Sequence, residues 1–367
     1  MGSGGAGAEG VVVAATGGEV LHRAAADLDL APAALAPAVS DPAYRVLAGG
    51  AGEAVLLRRQ WTGEGMPEAV VLASAGMGPD HPAILATAVG WGCDRVRDRP
   101  GGRGVRPVAL PGPDAPLVER FLAAAALAAT RVETAVSLAR GTGEDRVKVD
   151  GSPSLAADEA AHTAAVGVLG ALGVPVLSEE RPDVAVDPVA PWIVLDPLDG
   201  TGNFRAGLPP WAFSAGLVHA GRPIAGVVVD LSSGRRWSGG EGAGACRDDV
   251  PIQPREGTTV VVPSAPGGRS VGVPTTARRI RVTGCTAVEI CLVADGSAAG
   301  WHDLDRSGTH VHDVAGGLAV LAAAGGVALT ADGEPLRLSP DTEELIRFAA
   351  AGTGATAAEL IAAVARR

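Results

Sequence analysis

The chain has 367 residues, 47% hydrophobic and 19% charged, the balance of a soluble globular protein long enough for two or three compact units. A formal net charge of −11 at pH 7 argues against nucleic-acid or anionic-membrane binding, because both need a basic face. Its four cysteines (Cys93, Cys246, Cys285, Cys291) form no CxxC pair, so they read as buried or free thiols of a reducing, cytoplasmic compartment.

Residues 1–10 lack periodicity and read as a flexible leader. Residues 11–15 suit a short strand, 48–60 have helical character, 69–73 form a buried-strand pattern and 79–90 suit a helix, followed by Gly92-Cys93-Asp94-Arg95-Val96. Strand and helix alternating with glycine at the turns predict a small Rossmann-like α/β domain with parallel strands over residues 11–108. Breakers at Pro100-Gly101-Gly102 and across 110–115 place a boundary before a second domain, 112–367.

Asp114 is the expected N-cap of a long helix over 117–140, with an apolar stripe of Val118, Phe121, Leu122, Ala125, Leu127 and Ala128. A charged, glycine-bearing loop at 141–151 leads to a helix at 156–172 and a strand at 174–177. The apolar strand 192–195 delivers Asp196 at its end. Strand and turn signals fill 212–229, and elements follow near 288–294, 314–324 and 327–329, then an amphipathic helix at 357–364. Two uncharged runs, 160–178 and 314–331, are broken by glycines and read as helix, turn and strand, not as membrane spans.

The chemistry concentrates in Asp196-Pro197-Leu198-Asp199-Gly200-Thr201-Gly202-Asn203-Phe204. Two carboxylates three residues apart, directly after a buried strand, converge if the chain turns there, and hard divalent cations take oxygen ligands. Gly200 lets the backbone approach a phosphate, whose oxygens N–H groups at a following helix start can hold. An isolated DPxDG is as readily an Asp-Pro turn with an Asx-capped corner. The longer string, however, resembles the DP(I/L)DGTxNF signature of the inositol-monophosphatase superfamily at every fixed position.

Other strings resemble that family in the same order. Lys148-Val149-Asp150-Gly151-Ser152-Pro153 leading to Ala157-Asp158 is similar to its K-x-D-x-S-P-x-T-x-A-D opening, and Ser178-Glu179-Glu180 to its G-E-E. Gly284-Cys285-Thr286-Ala287 with Leu292-Val293-Ala294-Asp295-Gly296 resembles G-S-A-A…V-A-x-G. His312-Asp313-Val314-Ala315-Gly316-Gly317 resembles W-D-x-A-A-G, and Ala323-Ala324-Gly325-Gly326 resembles E-A-G-G.

The resemblance implies a layered α-β-α-β-α sandwich, usually dimeric, that needs Mg²⁺ (two or three ions per site) and is often inhibited by Li⁺. It implies metal ligation by Glu179, Asp196, Asp199, Asp313 and the carbonyl of Leu198, with Glu180 behind them or on a weaker metal. Asp158 and Thr201 would deprotonate the attacking water beside Glu179, and the N–H groups of Gly200 and Thr201 would hold phosphate. Four carboxylates in one pocket repel strongly unless cations bind or some stay protonated, which is consistent with that set. Family members contact the rest of the substrate near 301–308, making His302, Asp305 and Arg306 substrate-binding candidates; ordinary surface charge accounts for them equally well. His310 and His312 have no HxxxH or cysteine partner and are not expected to form a metal cluster. Leu155 for threonine, Ser178 for glycine, His312 for tryptophan and Ala323 for an acid are departures that remove no ligand.

The implied activity is Mg-dependent hydrolysis of a phosphate monoester on a small sugar, cyclitol or nucleoside. Alternatives are a phosphatase for 3′,5′-bisphosphate nucleotides or fructose bisphosphate, and, from another class, a non-catalytic scaffold keeping the fold. In the first domain, Asp41-Pro42-Ala43-Tyr44, the helical run at 53–59, residues 69–76 and Gly90-Trp91-Gly92-Cys93-Asp94-Arg95-Val96 resemble the electron transfer flavoprotein β-subunit. That family's later nucleotide-binding stretch is missing, so the expectation is a docking or dimerisation module without an organic cofactor.

Overall fold

A computed structural model describes residues 13–14, 24–28, 30, 43–48, 53–61, 67–100, 105–139, 145–147, 153–263, 272–304 and 308–365. Two compact units divide between Ala109 and Leu110.

The first unit is built on a six-stranded sheet in chain order: β1 (Val13–Ala14), β2 (Tyr44–Ala48), β3 (Ala54–Trp61), β4 (Pro67–Ala75), β5 (Arg95–Arg97) and β6 (Val105–Pro107). Only β4 and β5, joined through helix α1 (Pro82–Gly90), run parallel; every other neighbouring pair is antiparallel. This corrects the expected Rossmann-like layer of parallel strands. The error has a local cause, because residues 54–60, read as helical, lie in strand β3. Val55 and Leu57 face the cluster under α1 with Ile84 and Trp91, while Ala54 and Leu56 face the opposite cluster with Ala24 and Leu28. A strand buried on both faces gives an unbroken apolar run that periodicity cannot tell from a helix.

The second unit starts with α2 (Leu117–Ala139). The Pro116 carbonyl accepts from the Arg120 N–H at 3.0 Å, so the helix opens after Pro116. Asp114 lies in the preceding turn and is not the expected N-cap. By length and composition α2 could cross a bilayer, but its Phe121, Ala125, Ala128, Ala129 and Val132 are fully buried in a protein core. A hairpin, β7 (Asp145–Val147) with β8 (Pro153–Leu155), precedes α3 (Ala156–Leu169).

A seven-stranded sheet follows, ordered β15-β14-β13-β12-β11-β10-β9. Its strands are β9 (Val176–Ser178), β10 (Trp192–Asp199), β11 (Ala212–His219), β12 (Arg222–Asp230), β13 (Arg236–Gly240), β14 (Gly244–Arg247) and β15 (Val250–Pro251). A short helix, α4 (Thr201–Ala206), separates β10 from β11. A five-stranded sheet, β17-β16-β18-β20-β19, comprises β16 (Thr259–Val261), β17 (Arg279–Arg281), β18 (Gly300–His302), β19 (Val327–Thr330) and β20 (Phe348–Ala351). The remaining helices are α5 (Thr286–Ala294), α6 (Val311–Ala323) and α7 (Gly354–Ala365).

Alternation along the strands dictates the layering. Ile193, Leu195, Phe213 and Leu217 point toward α2 and α3, whereas Trp192, Val194 and Val218 point toward α5 and α6. Beyond those helices lie Trp301, Phe348 and Ala350, and Ala349 and Ala351 turn to the other side to meet Ala357 and Leu360 of α7. The result is the five-layer α-β-α-β-α sandwich expected from the family resemblance. The apolar runs at 160–178 and 314–331 resolve into α3 with β9 and α6 with β19.

Helix α6 lies directly on the sheet because β12 carries glycine at the crossing. A Cβ on Gly226 would sit 2.2 Å from the Gly316 carbonyl oxygen and 2.8 Å from Ala319 Cβ. Overpacking of this kind costs about 3 kcal/mol. Gly226→Ala should therefore lower the thermal unfolding midpoint measured in chelator; an unchanged midpoint would mean that α6 is not seated this closely.

Candidate metal centre

Strand β10 is buried along its whole length and pairs with β9 in parallel and with β11 antiparallel. Asp196 lies opposite Ser214 and Asp199 opposite Ala212, so one extra residue bulges out of β10 at Pro197-Leu198. Without the bulge, residues three apart on a strand would face opposite ways. Pro197 suits the position, having no N–H to contribute to the ladder. Asp196 and Asp199 thereby meet Asp313, from the first turn of α6, with oxygens of all three lying within 4.8 Å of one another.

Each carboxylate is held by the surrounding backbone. Asp196 Oδ1 accepts from the Leu198 N–H at 3.0 Å. Asp199 Oδ2 accepts from the Ala287 N–H at 2.7 Å and from the Cys285 thiol at 3.1 Å. Asp313 Oδ2 accepts from the His310 N–H at 2.9 Å and from Thr309 Oγ1 at 2.8 Å, as part of the α6 capping box. The rings of His310 and His312 stack with centroids 5.2 Å apart at the start of α6.

Burial dominates the electrostatics. It pushes the Asp196 carboxyl well above the ordinary carboxylate range, with further upward pushes from Glu179, Asp199 and Asp313. Asp199 is also raised, by burial and then by Asp313, against the opposing hydrogen bonds from Ala287 and Cys285. Burial, then the Asp199 carboxylate, raises the Cys285 thiol, which keeps it a donor. A cluster in this state holds either protons or a cation. Hard oxygen donors converging at this spacing fit a divalent cation of the magnesium kind, which takes a few carboxylates and completes its shell with water and phosphate.

The other candidates distribute around this cluster. The Glu179 N–H bonds the Leu195 carbonyl at 3.1 Å, placing the half-buried Glu179 beside Asp196 but outside the tight trio; Glu180 is buried next to it. Gly200 holds φ 82°, and a Cβ there would come within 3.2 Å of the Pro210 carbonyl, so the turn into α4 requires glycine. Thr201 Oγ1 lies 3.0 Å from the Leu198 carbonyl oxygen and 3.5 Å from Oδ1 of the buried Asp158. His302 is fully buried in β18, which leaves it no exposed face for a substrate; Asp305, Arg306, Lys148 and the Leu155 side chain lie outside the described residues.

Two residues given no role by sequence reasoning brace the site. Asn203 donates to the carbonyls of Pro210 (2.8 Å) and Thr283 (2.7 Å), tying α4 to the loop before α5. Fully buried Glu289 accepts from both the N–H and hydroxyl of Thr283, the Gly284 N–H and Trp301 Nε1. A lone carboxylate in the apolar run Ala287-Val288-Glu289-Ile290-Cys291 was the available signal.

With this geometry in hand, the comparisons with known proteins are specific. The model of the inositol monophosphatase family matches residues 116–367. "Fructose-1,6-bisphosphatase/inositol-1-monophosphatase" of Thermococcus kodakarensis is 33% identical over 189 residues, 49% of this chain and 70% of that protein. The 3'(2'),5'-bisphosphate nucleotidase CysQ of Escherichia coli K12 is 34% identical over 206 residues, 53% of this chain and 82% of that protein. Inositol monophosphatase from Anabaena (Nostoc) sp. PCC 7120 superposes with a TM-score of 0.55 at 23% identity, covering 67% of this chain and 95% of that one, which speaks to the fold. The chain belongs to the inositol monophosphatase family and is a phosphoric monoester hydrolase.

Proposed function

We propose that the chain hydrolyses a phosphate monoester of a small sugar, cyclitol or nucleoside with magnesium held by Asp196, Asp199, Asp313, Glu179 and the Leu198 carbonyl. The observation carrying this reading is the convergence of the three aspartates within 4.8 Å, two of them buried. Two or three magnesium ions there would supply neutralisation of phosphate charge and acidification of a water. Asp158, through the Thr201 hydroxyl, accepts the proton from the attacking water; a loose contact such as the present 3.5 Å is expected to tighten when substrate is bound. The N–H groups of Gly200 and Thr201, at the start of α4, hold the phosphate oxygens, and Glu180 supports Glu179 from behind.

Similarity to CysQ over most of that protein's length favours 3′,5′-bisphosphate nucleotides as the second substrate reading. We place the activity in the cytoplasm, as a homodimer; free Cys93, Cys246, Cys285 and Cys291 suit a reducing compartment. The first unit acts as a docking or dimerisation module. Among the described residues its sheet is largely antiparallel, with β4 and β5 the one parallel pair, which supports a docking role over the strand-end site of nucleotide folds.

Inositol 1-phosphate, fructose 1,6-bisphosphate, a nucleoside monophosphate and adenosine 3′,5′-bisphosphate, each assayed for free phosphate with magnesium and with chelator, test this reading. Magnesium-dependent release from at least one is expected. No release from any would overturn the proposed substrate class.

A further inference from the structure

Beside the Asp158–Thr201 contact, which the family motifs explain, the same face of α3 carries contacts that they do not. Its Asp158, Glu159 and His162 stand at helical spacing i, i+1 and i+4, and each reaches the metal centre or the turn that carries Glu179. Asp158 meets Thr201, as described. Glu159 forms an ion pair with Arg181 at 2.9 Å, and Arg181 Nη1 donates to the Glu180 carbonyl at 2.7 Å. His162 Nδ1 lies 2.9 Å from Ser178 Oγ, with Ser178 fully buried and His162 nearly so.

Ser178 is the hinge of the acidic turn. Its backbone pairs with Leu195 on β10, its carbonyl accepts from the Arg181 N–H at 3.0 Å, and the Glu180 N–H points at its Oγ from 3.4 Å. A hydroxyl has one proton and two lone pairs. Accepting from Glu180 and donating to a neutral imidazole at Nδ1 uses that capacity with correct polarity. Burial, reinforced by Arg181, lowers the basicity of His162, which is consistent with a neutral ring. The exposed Glu159–Arg181 pair contributes little by comparison.

We propose that His162 and Ser178 are a positioning pair: their hydrogen bond fixes the Glu179–Glu180 turn against the helix that also carries Asp158, and so sets magnesium affinity. The inference rests on the proposed metal site and adds a determinant outside its ligands. Partners that orient a ligand typically change metal affinity by about 10–100-fold when lost.

The test is magnesium titration of the full chain by calorimetry, alongside the unfolding midpoint in chelator and phosphate release as a function of magnesium. His162→Ala and Ser178→Ala should each weaken magnesium binding by about tenfold. The double variant should be no worse than either single one, because both remove the same bond. His162→Gln, whose amide oxygen can accept from Ser178, should restore affinity, whereas His162→Leu, which fills the space without an acceptor, should not. If His162→Ala fails to fold, the smaller Ser178→Ala change carries the same expectation. Unaltered affinity in the variants of a magnesium-binding wild type, or full additivity, overturns the pair alone; a wild type that binds no magnesium overturns the metal site as well.

Discussion

Asp199→Asn should lower magnesium-dependent kcat/KM by about 10³-fold or more, an effect of roughly 4 kcal/mol on the barrier. The substitution keeps the side-chain volume, and an amide oxygen can still accept from the Ala287 N–H and the Cys285 thiol. What disappears is the negative charge at the point where Asp196 and Asp313 also converge. Loss of rate with a native circular dichroism spectrum therefore isolates the charge from the fold. Wild-type turnover in this variant would show that Asp199 is no ligand and that the trio is only a buried acid cluster.

The second large effect runs in the opposite direction, on stability. Folding raises the Asp196 carboxyl, chiefly through burial and then through Glu179, Asp199 and Asp313. A carboxyl whose folded pKa exceeds its unfolded value binds more protons in the native state than in the unfolded one. Its favourable contribution is complete below the unfolded pKa, about 3.9, and is lost as pH rises through the raised folded value. Metal-free protein should accordingly lose stability on going from mild acid to neutral pH, and magnesium should restore it. Asp196→Asn removes the buried charge while keeping an acceptor for the Leu198 N–H. In chelator at pH 7.5 its unfolding midpoint should lie above that of the wild type, by about 2–4 °C for each kcal/mol of repulsion relieved, although activity is lost. Calorimetric scans of both proteins with and without magnesium check this. A variant midpoint below the wild type without metal would mean that the cluster is not under electrostatic strain.

The two units differ in how far their sequences could be read, for physical reasons. In the second unit, strands such as β10 end on polar turn residues and helices such as α6 begin on capping side chains, so boundaries coincide with chemistry. The string from Asp196 to Phe204 contains both the carboxylates and the proline and glycine that shape the bulge and the αL turn. In the first unit, Ala54-Val55-Leu56-Leu57 is buried on both faces, and its alternation becomes visible only once both covering layers are known. Asp114 failed as a cap because Pro116 already fixes where α2 opens.

Within the site, the family strings made Glu179, Asp196, Asp199 and Asp313 legible although they lie far apart in the chain, whereas the contacts between strings were not. Cys285 and Ala287 reach Asp199 from positions 86 and 88 residues away, contacts that no local pattern encodes. His162 and Ser178 likewise meet only because α3 packs across the end of β9. Their residue types carried a faint signal, a histidine in the otherwise uncharged run 160–178 and a serine where the family shows glycine.

The most direct measurement is anomalous diffraction from crystals of the full chain grown with Mn²⁺ in place of magnesium. Anomalous density in contact with Asp196, Asp199 and Asp313, and lost in Asp199→Asn crystals, is the predicted result. Density elsewhere on the chain, or none at this trio under saturating Mn²⁺, would contradict the assignment of these carboxylates as the metal centre.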